Sequence, residues 1–199
     1  MLGPLSTTIQ GVVNSTWPII IISVVVLVSV RFCDIVKNKR HVILYEELLM
    51  LSFIIYILCL FQVVTFQDDT AWSTNNFIPF KEILRYNMGS RLFFKNVIGN
   101  LIMFMPYGFF ISYYLKNKKP SLTIMLTVIA SFSIELVQMI IGRVFDVDDI
   151  ILNVLGGFLG YLCYYFLGMI GDKLPKVFKN EWFLNVLSII ILIGIITLL

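Results

Sequence analysis

The stretch that decides the fold is SFSIELVQMIIGRVFDVDDIILNVLGGFLGYL, residues 131–162. Two apolar runs, each long enough for most of a membrane helix, flank a polar hinge at residues 142–149, GRVFDVDD. Polar side chains also lie inside the runs, with Glu135 and Gln138 before the hinge and Asn153 after it. An ionisable group at the centre of a membrane helix costs about 2.5–3.5 kcal/mol on insertion scales, so Glu135 above all is a candidate for function.

The composition of the whole chain is typical of a polytopic membrane protein. The 199 residues are 59% hydrophobic and only 14% charged, whereas a soluble domain carries about 25% charged residues. The mean hydropathy is +0.92. The net charge of +3 does not point to nucleic acid, because in a membrane protein the placement of Lys and Arg matters more than their sum. We therefore predict an all-α membrane helical bundle with no nucleic-acid partner.

The cysteine and histidine content narrows the chemistry. Cys33, Cys59 and Cys163 lie singly, without the CxxC or Cys/His spacing of a zinc site or a disulfide framework. The single histidine, His41, lies in a basic connection, so a His-dependent catalytic triad is not predicted. No Lys or Arg precedes Arg31, and we interpret the first apolar run as a retained helix rather than a signal peptide.

Six apolar runs are long enough to cross a bilayer, which takes about 20 mostly apolar residues per helix. In chain order they cover residues 12–30, 48–66, 96–115, 122–141, 150–170 and 183–199. We group them as two N-terminal spans (1–66), an extracellular interfacial loop (67–95), a three-helix core (96–170) and a C-terminal span (171–199), all in one bundle.

The connections between the runs alternate in charge. Ten of the fifteen Lys and Arg residues fall in the connections 31–47, 116–121 and 171–182. The positive-inside rule places these connections in the cytoplasm. Both termini are then expected to be extracellular.

The longest polar connection, residues 67–95, mixes aromatic residues, proline and basic residues. Such a mixture suits a segment that lies at the level of the lipid headgroups. Residues 81–86 are predicted to form a short interfacial helix. We expect the loop to cover the site described next, with Phe77 and Pro79 as its contacts to a ligand.

The predicted orientation brings polar residues of three spans to one depth. Asn96 and Asn100 are four apart, share a helix face and lie in the outer turns of the third run. Glu135 and Gln138 lie near the outer end of the fourth run, and Asn153 lies in the first turn of the fifth. The inner halves of these runs are interpreted as apolar, without a polar path to the cytoplasm. We predict an outward-facing polar pocket between the third, fourth and fifth spans.

Several of the polar and small residues have a structural interpretation as well. The glycines of the fifth run form a small-residue face for close helix packing, at Gly156, Gly157, Gly160 and Gly168. Pro106 is expected to kink the third run. The two asparagines of that run are equally suited to hydrogen bonds between helices.

The charged hinge is also open to two interpretations. Asp148 and Asp149 are placed to cap the fifth run, where carboxylates suit the helix dipole. Arg143 either pairs with Asp146 or Glu135 or contacts a ligand.

Two chemistries would use this cluster. Arg143 with nearby Asn and Gln amides would clamp a phosphate or a carboxylate. Alternatively, the cluster offers hard oxygen ligands for Mg²⁺ or Ca²⁺, from Glu135, Asp146, Asp148, Asp149 and Asn153. Their spacing matches no defined metal motif, and no other cofactor is indicated.

Four pieces of the chain carry a family resemblance. They are NNFIPF (75–80), NVIGNLIMFMPYG (96–108), SIELVQ (133–138) and RVFDVDDIILNVLGGFLG (143–160). In these pieces and in their order, the chain resembles the VanZ-like family. The recurrent positions of that family correspond here to Asn96, Asn100, Pro106, Glu135, Gln138, Arg143, Asp146, Asp149 and Asn153.

The resemblance implies a multi-pass protein of the bacterial plasma membrane. The family's namesake is associated with low-level resistance to the glycopeptide antibiotic teicoplanin. The resemblance therefore implies a role in the cell envelope, while the activity is only loosely implied.

Three functions are open at this point. The first is binding of a lipid or lipid-linked ligand, with Arg143 on the anionic head and the site's amides orienting it. The second is an intramembrane enzyme that modifies an envelope lipid, with Glu135 as general base and Asp146 or Asp149 as base or metal ligand. The third is a small transporter, which would need a polar path through the inner half.

Overall fold

The computed structural model describes residues 3–39, 42–66, 75–116, 118–173, 175 and 180–198. In chain order the helices are α1 (Gly3–Asn38), α2 (Leu44–Phe66), α3 (Lys81–Arg85), α4 (Arg91–Phe93), a π-helical turn (Phe94–Ile98), α5 (Gly99–Leu115), α6 (Pro120–Ile140), α7 (Val147–Lys173) and α8 (Glu181–Leu198). Within the described ranges the regular structure is helical, and extended pairing is limited to one bridge between Asn76 and Asp146. The predicted all-α class is confirmed.

The helices fall into two compact units. One comprises residues 1–66 and 174–199 with α1, α2 and α8, and the other comprises residues 67–173 with α3 to α7. In the first unit the guanidinium of Arg31 donates two hydrogen bonds to the carboxylate of Glu47, at 2.9 and 2.7 Å. Because a two-point contact of this kind is geometrically specific, it holds α1 and α2 together beside their short connection.

Among the described residues, four helical stretches are long and apolar enough to cross a membrane. They are Leu44–Phe61, Arg91–Leu115, Pro120–Ile140 and Val147–Gly171. The first predicted run lies inside α1, and the sixth lies in α8 as far as residue 198, the last described residue; the stretch Glu181–Gly194 of α8 is a shorter apolar helix. The protein is a multi-pass membrane protein.

The helix of the third predicted span begins at Arg91 rather than at residue 96. The hydroxyl of Ser90 accepts a hydrogen bond from the amide of Phe93 at 3.1 Å and so caps the new helix. Hydropathy alone begins the span after Lys95, because the side chains of Arg91 and Lys95 are charged. The cap shows that the helical backbone nevertheless includes them.

The end of α6 is determined by Gly142. Its φ of +86° is a left-handed conformation that glycine adopts without a steric penalty. The Gly142 amide bonds the carbonyl of Met139 at 3.2 Å, and the Arg143 amide bonds the carbonyl of Gln138 at 2.9 Å. This pair of bonds is the usual glycine-based helix ending, and it lets α7 return along α6 after a short hinge.

The packing of α7 on α5 depends on glycine. A Cβ added at Gly156 would overlap the carbonyl oxygen of Leu101, and one added at Gly160 would overlap the carbonyl oxygen of Met105. Both obstacles are backbone atoms of α5, which cannot rotate away as a side chain would. The two helices therefore touch backbone to backbone, as small residues permit in membrane proteins.

The neighbouring glycines differ in their surroundings. A Cβ at Gly157 would overlap the side chain of Thr127 on α6, so α7 approaches both partner helices closely. Gly168 has open space around its α-carbon. The packing interpretation is thus confirmed for the first three glycines of α7 and wrong for Gly168.

The buried face of α6 is polar along its whole length, which corrects the expectation of an apolar inner half. Its fully or almost fully buried residues are Thr123, Thr127, Ser131, Glu135 and Gln138, here called the polar stripe. α5 adds the buried Ser112 beside Thr123. Hydropathy does not reveal these hydroxyls, because each is surrounded by strongly apolar neighbours in the sequence.

Replacing Gly160 with alanine tests the helix contact. The added methyl group overpacks the interface, which lowers the free energy of unfolding by about 1–3 kcal/mol. In a chain of this size, each kcal/mol lowers the unfolding temperature by about 2–4 °C. We expect Gly160→Ala to lower the unfolding temperature in detergent by several degrees.

Gly168→Ala is the matched control, on the same helix and with open space at the new methyl group. It should leave the unfolding temperature unchanged or slightly raised, because alanine restricts the unfolded chain. Equal effects of the two variants would contradict the described contact.

Candidate functional site

The interfacial segment, defined here as residues 75–95, is tied to the hinge by backbone pairing. The amide of Asn76 bonds the carbonyl of Phe145 at 2.8 Å, and the amide of Val147 bonds the carbonyl of Asn76 at 3.0 Å. The side chain of Asn75 accepts from the amide of Phe145 at 3.0 Å. Two segments about 70 positions apart in sequence are therefore held in register by three hydrogen bonds.

The carboxylate of Asp148 is the second link between these segments. Its oxygens accept from the backbone amides of Phe80, Glu82 and Ile83, at 2.5, 2.7 and 3.1 Å. Asp148 is only 1% exposed. The expectation that Asp148 caps its own helix is wrong, because its oxygens instead take up the free amides at the start of α3.

Asp146 occupies the capping position at the start of α7. Its Oδ1 accepts from the amide of Asp148 at 2.9 Å and from the side chain of Asn76 at 2.8 Å. Burial raises the pKa of Asp146, while the two hydrogen bonds favour the carboxylate and lower it; the direction that results is upward. The site thus contains a carboxyl group that takes up a proton more readily than an ordinary aspartate.

Glu135 is held from the hinge side. Its Oε2 accepts from the backbone amide of Asp146 at 2.9 Å, and its side chain is 1% exposed. With the Gln138 amide oriented to satisfy both of its neighbours, its nitrogen donates to Glu135 Oε1 at 3.0 Å. The oxygen of the same amide accepts from Arg143 Nη1 at 3.2 Å. Gln138 therefore connects the buried carboxylate to the guanidinium at the edge of the site.

The two asparagines of the third span have separate partners. Asn100 donates to Asp149 Oδ1 at 2.5 Å, which links α5 to α7. Asn96 donates to the hydroxyl of Tyr86 at 2.7 Å, which links the same helical rod to the interfacial segment. Burial raises the pKa of Tyr86, and its neutral hydroxyl remains the acceptor.

Asn153 lies on α7, one turn further from the hinge than Asp149. Its side-chain nitrogen donates to Ser131 Oγ at 2.9 Å. Its Oδ1 is buried and has no hydrogen-bond partner, and the residue as a whole is 4% exposed. Asn153 thus contacts the polar stripe at Ser131.

Phe77 and Pro79 are exposed residues of the interfacial segment. Phe77 is 65% exposed, and its ring stacks on Phe145 of the hinge with 5.3 Å between centroids. Pro79 is exposed in the turn before α3. Their predicted contact with a ligand stays a prediction.

Hydrogen bonds join four of the ten predicted site residues into one chain, whereas Asn96, Asn153, Phe77 and Pro79 lie outside it. Glu135, Gln138, Arg143 and Asp146 form one connected chain, while Asn100 and Asp149 pair beside it. Three partners were not predicted from the sequence, namely Asn76, Tyr86 and Ser131, and neither was the binding of backbone amides by Asp148. The repeated asparagines of the NNFIPF piece were the available signal for Asn76.

The carboxylates of the site are engaged by hydrogen-bond donors. Over the described residues, no group of three or more His, Cys, Asp or Glu side chains is arranged to hold a metal ion. An apolar groove of about 360 Å³ lies between α6 and α7, lined by Ile124, Ile151, Val154, Leu155 and Phe158. The predicted polar residues do not line this groove.

Comparison with known proteins gives one match. The sequence model of the VanZ/LLP1 family matches residues 53–168, more than half of the chain. No match was found among curated proteins or among solved structures. The matched range contains the interfacial segment, the hinge and all site residues described above.

Neutralising Asp148 tests the link between the hinge and the interfacial segment. A hydrogen bond to a charged group contributes about 1.5–3 kcal/mol, and 1.4 kcal/mol corresponds to a factor of about ten. In Asp148→Asn we expect the amides of Phe80, Glu82 and Ile83 to exchange with deuterium about tenfold faster or more.

Glu82→Gln serves as the control, since the carboxylate of Glu82 pairs with Arg85 within α3 rather than with the hinge. It should leave the exchange of these amides near that of the unaltered protein. Protection that persists in Asp148→Asn would show that the carboxylate does not hold the segment.

Proposed function

The chain belongs to the VanZ/LLP1 family, and on this basis we propose that it is an envelope protein of the bacterial plasma membrane that binds the anionic head of a lipid or lipid-linked molecule. The proposed binding region comprises Arg143, the amides beside it and the interfacial segment. The proposal also includes six membrane spans with both termini outside the cell, so that the hinge faces the outer leaflet. A role in resistance to teicoplanin, which itself carries a lipid tail, is part of the same proposal.

The exposure pattern of the interfacial segment carries this proposal. Seven large apolar side chains are more than half exposed, namely Phe77, Ile78, Phe80, Leu84, Met88, Leu92 and Phe94. Four exposed basic side chains alternate with them, namely Lys81, Arg85, Arg91 and Lys95. Side chains of these two kinds in one segment suit the boundary between acyl chains and phosphates.

The charge balance favours an anionic partner. Glu82 is the one acidic residue between residues 75 and 95, against four basic ones. The acidic side chains of the hinge are turned to internal donors: Asp148 to three amides and Asp149 to Asn100. The cationic groups of the segment are therefore the more accessible charges.

Arg143 is the residue proposed to contact the ligand. Gln138 contacts it from one side through a hydrogen bond of 3.2 Å, which limits the rotation of the guanidinium. A guanidinium presents five donors in a planar fork and binds phosphate or carboxylate with two parallel bonds. An ordered arginine at the membrane boundary is suited to such a headgroup.

An enzyme that modifies an envelope lipid is the second candidate. The observation in its favour is Asp146, whose pKa is raised by burial beside the other acidic residues of the hinge. A protonated carboxyl there would serve as a general acid, with Glu135 or Asp149 as the base or as a ligand of Mg²⁺ or Ca²⁺. The internal hydrogen bonds of these carboxylates count against this candidate, because a catalytic group must be able to reach its substrate.

Lipid binding is tested with Arg143→Ala. Loss of a charge-assisted hydrogen bond of about 1.5–3 kcal/mol corresponds to a binding constant weaker by a factor of about ten to a hundred. We expect Arg143→Ala to bind phosphatidylglycerol more weakly by this factor. The measurement is a titration of the detergent-purified protein with the lipid, followed by native mass spectrometry. Phosphatidylcholine, a polyprenyl diphosphate and teicoplanin serve as separate ligands, which distinguish a general headgroup site from a lipid-linked or antibiotic ligand.

Lys119→Ala, at the other end of α6, controls for the loss of one positive charge. It should bind phosphatidylglycerol as the unaltered protein does. Equal binding of anionic lipid by Arg143→Ala and the unaltered protein would disprove the role of Arg143.

The enzyme alternative is tested by turnover. We expect the purified protein in lipid to convert neither phosphatidylglycerol nor a polyprenyl diphosphate, with or without Mg²⁺ or Ca²⁺. Conversion that is lost in Asp146→Asn would instead establish the enzyme. Its rate should then fall as the pH rises through the raised pKa of Asp146, because only the protonated carboxyl acts as an acid.

A further inference from the structure

The polar stripe of α6 runs through the interior of the second unit. Thr123, Thr127, Ser131 and Glu135 follow each other at intervals of four residues, and Gln138 comes three residues later. At about 1.5 Å per residue, the stripe is about 22 Å long, most of the hydrocarbon thickness of about 30 Å. The three hydroxyl residues are completely buried.

Two further polar side chains extend the stripe sideways. The hydroxyls of Ser112 on α5 and Thr123 are 2.9 Å apart at the end where α6 begins. Asn153 on α7 donates to Ser131 at 2.9 Å, one turn before Glu135. All three spanning helices of the unit therefore contribute to one buried polar column.

Two members of the column are satisfied by bonds to the backbone of their own helix. Ser112 donates to the carbonyl of Gly108 at 2.6 Å, and Thr127 donates to the carbonyl of Thr123 at 2.8 Å. Such bonds are common in membrane helices and need no ligand. A stripe of this kind would by itself be only a packing feature.

Asn153 is the exception. Its Oδ1 is buried and has no hydrogen-bond partner, although its nitrogen is bonded to Ser131. Buried polar atoms of native proteins are almost always satisfied, and an internal water with two to four partners is the usual solution. A water that donates to this oxygen would lie beside Ser131, between the hydroxyls of the stripe and the carboxylate of Glu135.

We propose that Asn153 holds a buried water, and that this water, the hydroxyls of Ser131, Thr127 and Thr123 and one water in each remaining gap form a relay that carries protons between Glu135 at the hinge and the membrane face where α6 begins. Neighbouring hydroxyls are about 6 Å apart along the helix, which is about two hydrogen bonds. One water in each of the three gaps between Thr123, Thr127, Ser131 and Glu135 therefore completes the chain. Thr127, in the middle of the chain, packs against Gly157.

The proton balance of the relay is simple. A hydronium ion at the entrance gives its proton to the first oxygen, and each oxygen passes on its own proton to the next. The last proton forms an O–H bond on the Glu135 carboxylate, which becomes neutral, and water is left at the entrance. Release of the proton from Glu135 to water at the hinge restores the carboxylate and completes the transfer. The hydroxyls and the bound water are restored with reversed orientation.

The charged groups near Glu135 are of both signs. Arg143 is connected to it through Gln138, and the hinge contributes the acids Asp146, Asp148 and Asp149. α5 contributes no Asp, Glu, Lys or Arg.

The relay is tested by proton flux into liposomes that contain the full-length protein. A pH-sensitive dye is enclosed, and a potassium gradient with valinomycin supplies the driving potential. We expect flux above that of protein-free liposomes, and flux at the protein-free level for Glu135→Gln and Asn153→Leu. Thr127→Val, which keeps the shape of threonine without its hydroxyl, should also lose the flux.

Ser133→Ala is the matched control, because Ser133 lies on the exposed face of the same helix and bonds the carbonyl of Ile129 at 2.7 Å. It should conduct as the unaltered protein does. Size-exclusion chromatography and thermal unfolding identify variants that do not fold, and Ser131→Ala replaces Asn153→Leu if the latter does not.

Two results would overturn the relay. One is a folded, unaltered protein that conducts no faster than protein-free liposomes. The other is undiminished flux in folded Thr127→Val together with folded Asn153→Leu or Ser131→Ala. A purely structural role of the column would change the unfolding temperature of these variants and leave their flux unaltered.

Discussion

The contact between the interfacial segment and the hinge depends on the hydrogen bonds of the buried Asp148 carboxylate. It accepts three amides at the start of α3 while its own helix begins at the hinge. An unpaired carboxylate in such a place would be very costly, and so would three unpaired amides. Each side satisfies the other, and the interfacial segment is therefore held against the hinge. The backbone pairing of Asn76 with Phe145 and Val147 continues the same contact.

Close helix packing provides the frame for this contact. Gly156 and Gly160 bring α7 against the backbone of α5, and Gly157 brings it against Thr127 of α6. Helices that approach so closely leave little room for large side chains between them. Small hydroxyl residues fit this space, and their hydrogens bond the preceding turn of their own helix. The same narrow contact thus explains both the glycines and the buried hydroxyls.

Acidic and basic side chains of the hinge and the interfacial segment lie in different surroundings. Acidic groups are turned inward to amides and asparagines, whereas basic groups of the interfacial segment remain exposed among aromatic and aliphatic side chains. The proposed binding of anionic headgroups rests on this separation. Arg143 is linked to buried Glu135 through Gln138.

The amino-acid sequence by itself determined the membrane class, the helical runs and most members of the site. These follow from local chemistry, since length and hydropathy define a span and a buried carboxylate such as Glu135 stands out in an apolar run. Only the tertiary structure decided the pairings, because a hydrogen bond between Asp148 and α3 joins residues more than 60 positions apart. It also decided which glycines pack and which do not, as Gly160 and Gly168 differ only in what lies opposite. The buried hydroxyls of α6 belong to the same category, since a threonine is equally acceptable to lipid or to a neighbouring helix until the helices meet.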